Sequence, residues 1–135
     1  MSSKWSPDDA KIVREMIFKE NEFINHRLTW LVTLQGLLFA ALSFAMEDVR
    51  ELTYLLAGTG IFASLTSFIG LWVAMKAIDT LLSDWETHKP NGYVGPKIIG
   101  YKSNLIIKYL LPWFLMPALF IVVWAVVLIR SGRWC

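Results

Sequence analysis

Three long stretches without a single charge constrain this chain more than any other feature. Leu28–Met46, Leu52–Ala74 and Tyr109–Ile129 contain no Asp, Glu, Lys, Arg or His. A bilayer core about 30 Å thick is crossed by a helix of about 20 mostly apolar residues, and buried helices of soluble proteins are rarely so long and so free of charge. The rest of the composition agrees. Hydrophobic residues make up 56% of the 135 positions and charged residues 18%, against about 25% charged in an average soluble domain. Disorder, which needs low hydrophobicity and high net charge, is excluded. The expected fold is an all-α membrane protein of one domain, residues 1–135, with three transmembrane helices and long cytoplasmic helical extensions. A symmetric homo-oligomer is expected.

The basic residues give the expected orientation, because Lys and Arg accumulate on the cytoplasmic side. Lys4, Lys11, Arg14, Lys19 and Arg27 precede the first span, and Lys76, Lys89, Lys97, Lys102 and Lys108 fall between the second and third. Three spans place these two segments on one side. Arg50, Arg130 and Arg133 fall on the other. Ten against three gives an expected N-terminus in the cytoplasm and C-terminus outside. The first span is too long and too far from the N-terminus for a signal peptide.

Beyond the spans, the pattern stays helical. Ser6-Pro7-Asp8-Asp9 reads as a helix start, with Ser6 as cap and Pro7 in the first turn. No Gly or Pro follows until Gly36. A cytoplasmic amphipathic helix is expected over 7–27 and span 1 over 28–46. The two form either one helix or two with a bend near Asn25–Arg27. Ile12, Val13, Met16, Ile17, Phe23 and Ile24 recur at helical spacing on that extension. Span 2 is placed at 52–78, with its helix continuing to 87. Ile78, Leu81, Leu82 and Trp85 give it a second apolar stripe. Helices one and two are antiparallel, so the extensions are expected to pack into a stalk. Residues 88–103 hold Pro90, Gly92, Gly95, Pro96 and Gly100 and read as the cytoplasmic loop, with a turn at Pro90-Asn91-Gly92. Span 3 is placed at 105–129, where Pro112 and Pro117 would kink the helix.

Functional candidates fall in two groups. Gln35 is the most polar side chain in a span, and with Thr33 and Gly36 it marks one face as pore-lining or interfacial. Gly60, Ser64, Ser67 and Gly70 form a small-residue stripe on helix two, of the kind through which membrane helices approach closely. That stripe is expected to meet another subunit; packing inside one chain is the alternative. For Gln35 the alternative is an interhelical hydrogen bond to Thr59 or Ser64. The second group, Ile12, Met16, Phe23, Asn25, Arg27 and Trp85, is the candidate cytoplasmic gate or partner-binding surface. Arg27 suits lipid phosphate or a ring above a pore mouth; plain snorkelling to the interface is the alternative.

Several classes of function find no support. A proton-coupled transporter needs an ionisable group deep inside a span, and no Asp, Glu, Lys, Arg or His lies deep in any of the three. No nucleophile–base pair, P-loop or HExxH occurs, so no enzyme and no catalytic residue is expected. His88 with Asp84 and Glu86 lacks convergence on a metal, and Cys135 is the one cysteine, so neither metal nor cofactor is expected. A net charge of +2 does not suggest a nucleic-acid binder. The expected partners are the bilayer, further copies of the chain, and a cytosolic regulatory protein or ligand.

The stretch Glu22–Ala41, EFINHRLTWLVTLQGLLFAA, resembles a pattern in small three-span bacterial membrane proteins of unassigned role. Asn25, Arg27, Leu28, Thr29, Trp30, Gln35 and Gly36 carry that likeness. In size, span number and amphipathic cytosolic helix the chain is similar to membrane-depolarising effectors of antiphage defence systems. The resemblance implies a gated homo-oligomeric pore or ion channel. The alternative is a non-conducting scaffold that docks a cytosolic partner through its N-terminal helix and inner loop.

Overall fold

In a computed structural model, residues 5–6, 8–45, 50–95, 98 and 111–132 are described. They form three helices: α1 Asp9–Ala45, α2 Arg50–His88 and α3 Pro112–Gly132. All three are long and apolar enough to cross a membrane, which makes this a helical membrane protein. The expected beginning of span 3, 105–110, and loop residues 99–103 lie outside the described residues.

α1 is one unbroken helix of 37 residues, about 55 Å long at 1.5 Å per residue. The extension and span 1 are therefore continuous, without a bend at Asn25–Arg27. Its start differs slightly from the sequence pattern. The helix is described from Asp9, Pro7 lying outside the described residues, and the Ser6 amide donates to the Asp9 carboxylate at 2.6 Å. An acidic side chain that reaches back to the amide before the helix satisfies a donor the helix cannot. α2 runs 39 residues and carries span and extension in one piece. At its end the Lys89 amide donates to the Trp85 carbonyl at 2.8 Å and the Tyr93 amide to the Pro90 carbonyl at 3.2 Å. Gly92 adopts φ +80°, a left-handed conformation open to glycine at little cost, so the Pro-Asn-Gly turn forms as expected. Pro112 opens α3 instead of kinking it, since a proline in the first turn has no amide to lose. Pro117 sits inside the helix and is buried.

α2 is the central element and packs on both α1 and α3, while α1 and α3 touch little. Two cores result. The extensions of α1 and α2 bury Val13, Ile17 and Ile24 against Leu71, Ala74, Met75, Ile78 and Trp85, with Phe114 of α3 joining. The other end of the bundle buries Leu42, Ala57 and Trp124. The expected stalk is thus present within a single chain. Trp5 and Tyr93 close its tip: Trp5 stacks on His88, Tyr93 meets Trp85 edge to face, and Arg14 donates to the Tyr93 hydroxyl at 2.8 Å.

Candidate functional site

Between the two cores, the three helices meet at one polar point. Gln35 of α1 is fully buried and uses its whole carboxamide. Its Nε2 donates to the Gly60 carbonyl and to Ser64 Oγ of α2, each at 2.9 Å. Its Oε1 accepts from the Trp124 indole of α3 at 2.6 Å. Ser64 in turn donates to the Gly60 carbonyl at 2.8 Å. Phe39 lies parallel to the Trp124 ring, centroids 4.7 Å apart.

Gly60 makes the arrangement possible. A Cβ there would overlap the Trp124 indole, so glycine opens the slot through which the fully buried Trp124 of α3 reaches α1. In lipid no water competes for these groups, and each must find a partner inside the protein. The carboxamide supplies two donors and an acceptor on one planar group, which is what bridging three helices at one level requires.

Two expectations are corrected by this geometry. Gln35 does not reach the surface of the bundle: it is fully buried within its own chain, bonded to Gly60, Ser64 and Trp124. The small-residue stripe of α2 is likewise consumed internally: Gly60 and Ser64 are buried, and Ser67 and Gly70 are half-buried toward α1. Ser64, one expected alternative partner of Gln35, is found; Thr59 instead donates to the Leu55 carbonyl. Trp124 was not among the candidates. Its distance from both ends of α3 was the available signal, since interfacial aromatic belts lie at span ends.

The face of α1 turned away from the bundle has its own composition. Asn25, Thr29, Thr33, Gly36, Ala40 and Ser43 are all exposed and follow one another at steps of four and three. Thr29, Thr33 and Ser43 each donate to a carbonyl one turn back, at 2.9, 2.9 and 2.7 Å, so their oxygens present lone pairs outward. Open space surrounds Gly36. Thr33 and Gly36 therefore lie on this face and Gln35 on the opposite one.

The second candidate group also divides. Trp85 is buried under Trp5 and Tyr93 and offers no surface to a partner. Ile12, Met16 and Phe23 are exposed by 54, 47 and 58%, whereas their sequence neighbours Val13, Ile17 and Ile24 form the core. The residues expected in one stripe thus belong to two faces. Asn25 is exposed on the outward face of α1, and Arg27 lies across α2 at Gly70.

Among the described residues, no group of His, Cys, Asp and Glu is placed to hold a metal ion. No protein-family model matches the chain, and no curated protein or solved structure matches it either.

Proposed function

We propose that the chain is the subunit of a homo-oligomeric membrane pore whose wall within the bilayer is the outward face of α1. One observation carries this reading: Asn25, Thr29, Thr33, Gly36, Ala40 and Ser43 form an exposed stripe of small and hydroxyl side chains along the span. Much of the rest of the outer surface is built of large apolar groups suited to acyl chains, such as Phe62 and Ile69 on α2 and Val122 and Ile129 on α3, although Thr59 and Thr66 of α2 are exposed too. A small-residue face gains little from lipid but lets helices approach closely. Its four-three spacing matches left-handed packing of helices at about +20°. Hydroxyl oxygens with outward lone pairs suit a wall that replaces part of an ion's hydration.

The lysine and arginine imbalance supports a cytoplasmic N-terminus, and the likeness to bacterial three-span proteins supports a bacterial inner membrane. Glu22 and Asn25 then stand at the cytoplasmic mouth, below the stalk. The likeness to depolarising effectors extends the proposal to a defensive role, in which opening discharges the membrane potential.

Ion flux from liposomes carrying the purified protein tests the proposal. Thr33→Val removes a hydroxyl at almost constant shape, and Gly36→Leu fills the wall. Flux that falls in both variants, with the oligomer intact, is expected. A monomeric protein that passes no ions, or unchanged flux in Gly36→Leu, overturns it.

The second reading is the non-conducting scaffold. The exposed Ile12, Met16 and Phe23 favour it, because apolar side chains on an extension outside the membrane suit a cytosolic partner. Loss of partner capture in Met16→Glu without any flux in the wild type would select it.

A further inference from the structure

We infer that the seam between α1 and α2 at Arg27 and Gly70 is a binding site for the phosphate of an anionic glycerophospholipid, in the leaflet on the N-terminal side. Arg27 is the last charged residue before the first span. Its side chain does not extend freely away from the bundle. It lies across α2 in the notch left by Gly70, where a Cβ would collide with Nη1. The residue remains exposed overall, so the guanidinium lies on the outer surface of the seam.

Arg27 has no hydrogen-bond or ion-pair partner among the described residues. Glu20, on the same edge of α1, is seven residues away, about 10 Å farther along the helix from the span. A guanidinium carries a planar fork of donors that matches two oxygens of one phosphate. Placed at the end of an apolar span, it sits at the depth of the headgroup phosphates.

The seam is also open on this side. Phe39 and Gln35 engage Trp124 of α3, and Arg27 lies on the other edge of the buried face of α1, about a third of a turn from Phe39. The outward Thr–Gly–Ser face points away from it as well. Among the described residues the site therefore stands on the exterior of the bundle, away from the proposed pore wall, and it does not depend on the pore. Phosphatidylcholine carries the same phosphodiester, but its own choline neutralises it. A headgroup without a cation leaves the whole charge for Arg27.

Lys76 is the natural control. It is exposed, and its ammonium lies 4.4 Å from the centroid of the Trp72 ring, already engaged by an aromatic face.

Native mass spectrometry of the full chain, titrated with phosphatidylglycerol or phosphatidylcholine, tests the site. The wild type should retain phosphatidylglycerol at lower concentration than phosphatidylcholine. Arg27→Gln should weaken that retention about fivefold or more, since a surface cation contributes roughly that factor. Arg27→Lys should be intermediate, keeping the charge and losing the fork. Lys76→Gln should bind as the wild type does. Gly70→Ala keeps the fold, because only the far end of a flexible side chain must move, and should weaken retention by displacing Arg27. Equal binding by wild type and Arg27→Gln overturns the inference. So does an equal loss in Lys76→Gln, which would mean diffuse charge attraction, or unchanged binding in Gly70→Ala. Competition by millimolar inorganic phosphate would replace the lipid with a soluble anion and overturn it too.

Discussion

Replacing Gln35 with Leu removes a side chain that bonds to both other helices, and the structure allows its cost to be worked out. Three hydrogen bonds vanish: two donated to Gly60 O and Ser64 Oγ, and one accepted from Trp124. Side-chain hydrogen bonds between membrane helices average about 0.6 kcal/mol, so the three contribute about 2 kcal/mol. Ser64 is not stranded, because its own hydroxyl still donates to the Gly60 carbonyl. The Trp124 indole is stranded. A buried donor left without a partner costs about 1–3 kcal/mol, and Trp124 is fully buried. Gln35→Leu should therefore destabilise the bundle by about 3 kcal/mol, read by reversible unfolding in mixed micelles. Trp124→Phe removes the donor and keeps a ring for Phe39 to stack on. In the double variant no indole is stranded, so its cost should fall short of the sum of the single costs by about 1 kcal/mol. Additive costs would show that Gln35 and Trp124 do not act on each other and would refute the reasoning.

Other positions follow from the same packing. Gly60→Ala drives a Cβ into the Trp124 indole and should cost about 1–3 kcal/mol in the same unfolding assay. Gly58→Ala meets open space and should leave stability unchanged or slightly raised, since Ala favours helix. Trp85→Ala removes the centre of the stalk tip, should cost about 3–5 kcal/mol locally, and should make the segment near Trp5 cleavable by added protease. Gly92→Ala forces φ +80° on a residue with a Cβ, and should lower stability by roughly 1 kcal/mol without changing helix content by circular dichroism.

The helices themselves were legible because hydropathy and the missing breakers are local properties. The absence of Gly and Pro up to Gly36 allows a continuous α1 without choosing between one helix and a bend at Asn25–Arg27, and the antiparallel stalk followed from two extensions leaving one side. The buried site was only half legible. Gln35 and the Gly60–Ser64 stripe stood out, since polar and small residues are rare in such spans. A stripe on one helix does not say which helix it meets, and here both neighbours are within the chain. Trp124 was hidden because an indole in an apolar run reads as one more hydrophobe until a partner for its N–H is known. The mixed stripe of α1 shows a third limit. Ile12 and Val13, Met16 and Ile17, and Phe23 and Ile24 are neighbours about 100° apart on a helix, so a broad apolar stripe does not reveal where the core ends and the exposed face begins.

The division of α1 has a consequence for testing function. Thr33 and Gln35 are two residues apart, hence about 200° apart around the helix, with one on the outward face and the other at the three-helix junction. In a pore built on the outward face, conductance and stability should separate at these two positions. Thr33→Val should alter flux while leaving unfolding within about 0.5 kcal/mol of wild type, the usual range for exposed positions. Gln35→Leu should lower stability, with flux per assembled oligomer unchanged under conditions where the bundle stays folded. In a non-conducting scaffold neither variant has a flux to change. The reverse pattern, flux lost in Gln35→Leu at full stability, would return Gln35 to the wall of the path and require the three-helix junction to open.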